Sequence, residues 1–288
     1  MSLMQMLCGA PGGGGYDFRI TPALPGNDNG NDETDWDLKE QGNLIIDGVS
    51  DGTDYTITNL SAKQKYIQMW GQAGGRCGPV YSDTPGGYGG YSEGDFTLVV
   101  DNDYLLRLNT GGSQPGPSPS FQGGTGGGYG GLFETSVSRG NAVIMSGGGG
   151  GKGGIGYPHY RPGGAGGGSP GGDGTGGGGG GGGTSCPPTG MPGSPGPGGS
   201  GGGNWSSGGG GGGGYCGGSA GAKGHDPGQG TYGSGGGGGG SGYINPTFSS
   251  NGTTNEYPVG SSDPNRGGAG DGTSPTAGPA RIVIKLNS

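Results

Sequence analysis

The chain has 288 residues, of which 90 are glycine and 22 are proline, and hydrophobic residues make up only 25% of it. This apolar share is roughly half the usual one, which excludes a conventional core of packed helices. The net charge is −8 and the 13 lysines and arginines are scattered along the sequence. Because nucleic-acid-binding proteins carry a basic face, we expect no nucleic-acid partner.

The first 42 residues divide into two segments. Residues 1–15 are apolar and then glycine-rich, and we predict that they dock against a partner protein or another copy of the chain, because exposed apolar side chains without a partner are a liability. The candidate docking residues are Leu3, Met4, Met6 and Leu7. Residues 16–42 are predicted to form a solvated acidic loop. Whether its acidic part, 28–40, binds calcium stays open, since the spacing does not match a known calcium loop.

Residues 43–145 carry the strand signals. Short runs rich in β-branched and aromatic residues predict a small antiparallel sheet. These runs are 44–46, 55–58, 65–70, 96–100, 104–108 and 142–145. The acidic turn at 101–103 is expected to join the runs 96–100 and 104–108. No helix is predicted anywhere in the chain.

Residues 146–279 are dominated by glycine, and three interpretations compete for them. Collagen requires glycine at every third position, but glycines run consecutively over 176–183 and 208–214. A flexible linker is the ordinary behaviour of glycine-rich chains. However, the long runs begin at regular intervals, at Gly147, Gly176, Gly208 and Gly235. We therefore predict an ordered lattice of extended three-residue-per-turn (polyglycine II) helices, held by hydrogen bonds between neighbours.

The last residues, 280–288, alternate between apolar and polar, which predicts a strand that returns to the sheet and closes the domain. Residues 43–288 would thus be one glycine-rich β domain with the lattice inserted between its strands. The fold class is mostly β and irregular, with essentially no α-helix.

The four cysteines do not have the spacing of a zinc site. Cys186 and Cys216 lie in neighbouring glycine segments, so they could pair. We expect no secretory signal at the N-terminus, and assembly in a reducing cytosol argues that the cysteines are dispensable for the fold. Whether Cys186 and Cys216 pair stays open at this stage.

Several motifs follow one another in a distinctive order. Trp70-Gly-Gln-Ala-Gly-Gly is followed by Gly86-Gly-Tyr-Gly-Gly-Tyr-Ser-Glu-Gly-Asp-Phe-Thr-Leu98, then by Leu106-Arg-Leu108, the glycine runs and Arg281-Ile-Val-Ile. This order resembles the glycine-rich domains of tailed-phage tail and fibre proteins, over residues 55–288. The first seven residues are similar to the N-termini of small virion proteins of marine phages, including cyanophages. After Leu108, Asn109-Thr-Gly-Gly-Ser-Gln-Pro departs from the family pattern.

The resemblance implies a structural virion protein, assembled in the host cytoplasm and exposed on the particle. It would be a tail or fibre protein for host-surface attachment; the alternative is a capsid decoration or capsid-fibre protein with a purely architectural role. We expect contacts with other virion proteins through the N-terminus and a homo-oligomer, with a trimer as the guess. We expect no enzyme, cofactor or metal, because His159 and His225 lie in no catalytic motif.

Aromatic residues between the glycine runs are the candidate receptor contacts. Tyrosine and tryptophan give large, rigid contact surfaces at low entropic cost, which suits a host glycan or an outer-membrane receptor. The alternative is that these rings only cap the edges of the lattice. The candidates are Tyr157, His159, Tyr160, Arg161, Trp205, Tyr215, Tyr232, Tyr243 and Tyr257.

Overall fold

A computed structural model of the chain describes residues 15–25, 32–48, 54–75, 86–108, 123–154, 161–168, 170–175, 208–222, 234–256, 262–272 and 278–287. The described part is mostly β-structure, as predicted. It contains no α-helix, and its only helical turns are short 3-10 turns at Arg139–Asn141 and Pro264–Arg266. No helix in these ranges is long and apolar enough to cross a membrane.

The described residues form twelve strands in two antiparallel sheets, in agreement with the predicted antiparallel β-sheet domain. The seven-stranded sheet has the order β10-β9-β8-β7-β4-β1-β2, with β1 Phe18–Thr21, β2 Thr34–Trp36, β4 Asp54–Asn59, β7 Asn102–Leu108, β8 Gly130–Phe133, β9 Ala142–Ser146 and β10 Tyr243–Ile244. The five-stranded sheet has the order β11-β6-β5-β12-β3, with β3 Leu44–Asp47, β5 Lys65–Trp70, β6 Tyr91–Phe96, β11 Thr253–Asn255 and β12 Arg281–Leu286.

The main core lies between the two sheets. In β4, Tyr55 and Ile57 are buried and alternate with half-buried threonines, and they join a single apolar cluster with Ile67 of β5 and Ile282 of β12. A sheet with one face in a core and period-two patterning is the expected antiparallel arrangement. The predicted closing strand is confirmed, because β12 pairs with both β3 and β5.

The prediction of a solvated acidic loop over 16–42 is wrong. Residues of this segment form β1 and β2, and Phe18 and Ile20 are fully buried in the core. Asp35 forms an ion pair, since the Arg19 Nε lies 2.9 Å from its Oδ1 across the β1–β2 strand pair. The strands are only four and three residues long, so the acidic composition concealed their alternation.

The predicted strand at 96–100 is also wrong. The strand in this region is β6, which runs from Tyr91 to Phe96. It belongs to the five-stranded sheet, whereas β7 belongs to the seven-stranded sheet. The turn predicted next to Asp101 is present, with a backbone φ of 58° at that residue. Polar residues and Gly94 concealed β6, while Val99 and Val100 have a β-type composition but lie exposed in the connection.

The glycine segments form a lattice organised around residues 147–153. Successive N–H groups from Gly148 to Gly150 donate to segment 208–214, segment 71–75 and segment 161–168 in turn. The next three N–H groups, from Gly151 to Gly153, donate to the same three segments in the same order. The N···O distances of these six bonds are 2.7–3.2 Å. A hydrogen-bond direction that repeats every third residue is the signature of a three-residue-per-turn helix.

The carbonyl groups of segment 147–153 point toward three further segments. They accept N–H groups from 86–90, 234–241 and 123–128, again with a period of three. Segment 147–153 is therefore surrounded by six neighbouring segments, and 170–175 and 217–222 pack outside this ring through bonds to 234–241. We call these nine segments the glycine lattice. The predicted polyglycine arrangement agrees with this hydrogen-bond pattern.

The lattice has no space for side chains in its interior. A Cβ on Gly150 would lie 2.0 Å from the Gly237 carbonyl oxygen, and one on Gly237 would lie 2.0 Å from the Gly210 oxygen. Ordinary carbon contacts are 3.5–4.0 Å, so only glycine permits this approach. The lattice also begins earlier than predicted, because 71–75, 86–90 and 123–128 belong to it; these short runs directly adjoin strands, which concealed their common role.

Candidate functional site

The glycine lattice has two distinct ends. At the near end, segments continue directly into strands, as at Trp70–Gly71, Gly90–Tyr91 and Ser146–Gly147. Hydrogen bonds hold these junctions side by side, with Gly71 N–H donating to Gly90 O at 3.0 Å and Gly90 N–H donating to Gly147 O at 2.8 Å. The near end is therefore fixed on the two sheets.

The opposite end, which we call the free end, is also ordered by direct hydrogen bonds. Lys152 N–H donates to Gly75 O at 3.2 Å, and Gly153 N–H donates to Arg161 O at 3.0 Å. On the outer side, Gly235 N–H donates to Ala222 O and Gly236 N–H donates to Thr175 O. Residues from six segments thus end together at one surface of the molecule.

Four stretches of chain that lie outside the described residues have both of their flanking residues at this free end. They are 76–85, 155–160, 176–207 and 223–233, and a fifth stretch, 109–122, reaches the free end at Gly123. At the near end, by contrast, the connections between lattice segments at 169 and 215–216 are short. Successive lattice segments run in opposite directions. A segment that leaves the sheets therefore connects to the next one at the free end, which explains why these connections are found there.

The predicted receptor-contact residues do not form a single group. Tyr157, His159, Tyr160, Trp205, Tyr232 and Tyr257 lie outside the described residues. Arg161 lies at the free end, where its Nε is buried and has no hydrogen-bond partner among the described residues. Arg161 is the one predicted contact residue that the described part of the chain contains at the free end.

Tyr215 and Tyr243 lie at the near end instead. Their rings stack with centroids 4.1 Å apart and an interplanar angle of 10°, and they pack against a cluster that includes Phe133 and Met145. Burial, followed by the neighbouring Tyr215, raises the pKa of Tyr243. The pair covers the outer face of the seven-stranded sheet, so for these two residues the geometry favours the capping alternative over a receptor contact.

The pole of the sheets opposite the lattice is the base, formed by residues 15–17, 59–65 and 98–102. Asp17 and Lys65 are fully buried there. Ser61 Oγ donates to Asp17 Oδ1 at 2.5 Å, and Lys65 Nζ donates to Lys63 O at 2.6 Å and to Ser61 Oγ at 2.8 Å. This polar cluster ties β5 of one sheet to the start of β1 of the other.

The cluster is electrostatically asymmetric. Burial lowers the pKa of Lys65 to about 8, although the nearby Asp17 carboxylate acts in the opposite direction. Burial also opposes ionisation of Asp17, but hydrogen bonds from Ser61 and Leu38 and the Lys63 ammonium outweigh it and hold the pKa of Asp17 below its ordinary value. The cluster thus contains an ionised carboxylate beside an amine that loses its proton readily.

Cys216 is disulfide-bonded, whereas assembly in a reducing cytosol argued against structural disulfides. Its partner lies outside the described residues, as does Cys186. Cys216 is 6% exposed at the near end, and its N–H donates to Ser241 Oγ at 3.0 Å. The argument from a reducing compartment therefore does not describe this site.

The predicted docking residues Leu3, Met4, Met6 and Leu7 lie outside the described part of the chain. So do residues 28–31 of the acidic segment 28–40. Of its described carboxylates, Asp37 is occupied locally, since it accepts N–H groups from Lys39 and Glu40. Within the described ranges, no group of three or more His, Cys, Asp or Glu residues could hold a metal ion.

The chain was compared with models of known protein families and with curated proteins. No family model matches it, and no curated protein matches it either. The resemblance of the motifs to phage glycine-rich domains therefore stays a prediction from the sequence.

Proposed function

We propose that the chain is a structural protein of a tailed-phage particle, and that it is a tail or fibre protein whose glycine lattice presents loops for attachment to the host surface. The observation that carries the proposal is the sorting of chain connections at the lattice. Four long connections have both flanks at the free end, whereas the connections at the near end are short.

The lattice suits this role because it is a stiff support. Its interior backbone groups bond to neighbours in several directions, and each such bond contributes about 1 kcal/mol net. Binding residues are usually carried on loops that a rigid scaffold positions. The interior of the lattice, where glycine backbones pack directly against one another, gives that rigidity.

The sequence of the free-end connections supplies suitable chemistry. Residues 157–161 contain two tyrosines, a histidine and an arginine, and Trp205 and Tyr232 lie in two of the other connections. Aromatic rings stack on sugar faces, and the guanidinium of the half-buried Arg161 can donate to hydroxyl or anionic groups. A host-surface glycan or an outer-membrane receptor fits these groups.

The opposite pole fits attachment to the particle. Gly15 and Tyr16, the first described residues, lie at the base, beyond the strand end where Phe18 pairs with Asn59. An N-terminal segment that docks on other virion proteins there would direct the free end outward.

Immunogold labelling of phage particles with antibodies against the purified protein tests this function. Label on tails or fibres is the expected result. Label confined to capsids would replace the attachment role with the architectural one, and label on cells but on no particle would refute a virion protein altogether.

A further inference from the structure

A network of polar side chains lies on the outer face of the five-stranded sheet. In β5, Ile67 and Met69 belong to the main core, so Tyr66 and Gln68 point to the opposite face of the sheet. The strand register places Glu93 of β6 directly opposite Gln68. These polar residues belong neither to the free end nor to the base, so the network is a separate feature of the surface.

Hydrogen bonds join the side chains of this network. The hydroxyls of Tyr66 and Tyr91 both donate to Glu93 Oε2. Burial, followed by the bond to Glu93, raises the pKa of each phenol, so both keep their protons. Gln68 Nε2 donates to the Tyr91 hydroxyl oxygen and to Asp263 Oδ2, both at 2.5 Å. The hydroxyl and amide donors of these side chains are therefore used within the network.

The network leaves acceptor capacity unused. Gln68 is 3% exposed, and its Oε1 is buried without a hydrogen-bond partner among the described residues. A buried acceptor without a partner costs free energy, which a donor group of a ligand would recover. The half-buried Glu93 carboxylate can also accept more, because a carboxylate has about four lone-pair sites and the two phenols bond to one oxygen.

A cation and an aromatic ring border these acceptors. Lys285 of β12 lies opposite Tyr66, and its Nζ is 5.7 Å from the centre of the Tyr66 ring; both residues are half-buried. The carboxylates of Glu93 and Asp263 would repel an anionic ligand, and a cationic ligand would compete with the Lys285 ammonium. A neutral ligand rich in hydroxyl groups meets neither obstacle, because a hydroxyl both donates and accepts.

We propose that this face binds a neutral sugar ring. Glu93 and Gln68 Oε1 accept hydrogen bonds from its hydroxyl groups, and the Lys285 ammonium donates to another hydroxyl. The Tyr66 ring packs against the C–H face of the sugar. Asp263 is half-buried and contacts the Gln68 amide, so a rotation of its side chain admits a hydroxyl group beside Oε1. The inference goes beyond the proposed function, because the site lies away from the free end and does not require a phage particle.

Saturation-transfer NMR of the full chain tests the proposal, with glucose, galactose, mannose and N-acetylglucosamine as probes, each at about 10 mM. We expect wild type to bind at least one of them and Tyr66→Leu to weaken that binding about tenfold or more, since the ring contact is lost. Tyr16→Leu is the matched control, because it removes an exposed tyrosine at the base; it should leave binding unchanged. Thermal melts establish that each variant is folded. Glu93→Gln serves if Tyr66→Leu is not, because it keeps the side-chain shape and should also weaken binding.

A wild type that binds none of the four sugars would overturn the inference, as would equal binding by Tyr66→Leu and Tyr16→Leu. Binding that survives Tyr66→Leu but is lost when Tyr157, His159 and Tyr160 are replaced with alanine would overturn it too, because the sugar would then lie at the free end. Failure of the proposed function is a different result. A protein that binds sugar on this face but labels no phage particle retains the site without the function.

Discussion

Replacing a single lattice glycine should destabilise the fold more than its small size suggests. In Gly211→Ala, the new Cβ would lie 2.0 Å from Gly218 O and 2.6 Å from its carbon. Segment 217–222 would have to move by more than an ångström, which breaks the 2.8 Å bond from Gly218 N–H to Gly212 O. Overpacking of this kind costs about 1–3 kcal/mol, and each lost bond adds about 1 kcal/mol.

The expected loss is therefore about 2–4 kcal/mol, which lowers the melting temperature by roughly 10 °C in a domain of this size. Gly211→Val should abolish soluble protein, because a domain has only about 5–15 kcal/mol of stability in total. The matched control is Gly140→Ala, since a Cβ there would have no atom within 4 Å and the residue does not have a positive φ. Thermal melts followed by circular dichroism, together with soluble yield, decide the outcome. Equal melting temperatures for Gly211→Ala and Gly140→Ala would refute the close-packed lattice.

The remaining predictions concern the base, the disulfide and the free end. The pKa of Lys65 is about 8 in the folded protein, against 10.5 for the free side chain. Between pH 8 and 10.5 the unfolded chain therefore binds more protons than the folded protein, so the free energy of unfolding rises with pH in this range. Urea unfolding should show wild type gaining about 2 kcal/mol over Lys65→Met between pH 7.5 and 10, and parallel curves would contradict this. Reductant or Cys216→Ser should lower the melting temperature by several degrees, because a disulfide typically contributes about 2–4 kcal/mol; an unchanged melt would show that the bond is not structural. Replacing Tyr157, His159 and Tyr160 with alanine should slow phage adsorption without altering particle yield or melting. The control Tyr215→Ala with Tyr243→Ala should lower the melting temperature instead, and normal adsorption of the first variant would favour the architectural role.

Patterns that depend on neighbouring residues were readable from the sequence. The alternation in Arg281–Leu286 predicted β12, because its apolar side chains had to share one face. Consecutive glycines predicted close packing of backbones, since no other residue leaves room for it. In both cases the physical constraint is local, so the sequence states it directly.

Features that depend on distant contacts were not readable. Gly130 and Gly131 begin β8 although glycine weakens strands, because the Cβ of a larger residue at Gly130 would lie 2.9 Å from the Met69 side chain of the opposite sheet. The assignment of β6 and β7 to different sheets follows from pairing partners far along the chain. The disulfide at Cys216 likewise depends on which cysteine the fold brings near, which no spacing rule specifies.

The separation of roles between the two ends follows from the alternation of lattice segments. Segment 147–153 leaves the sheets, and 161–168 returns antiparallel to it, as the bonds from Gly150 N–H to Gly164 O and from Gly153 N–H to Arg161 O show. Every such pair of segments contributes one connection at the free end. Changing the length of that connection does not disturb the register of the pair, because the register is set by backbone bonds within the lattice. A fold of this kind can therefore vary its free end while its base and core stay fixed, which is the separation that a host-attachment protein requires.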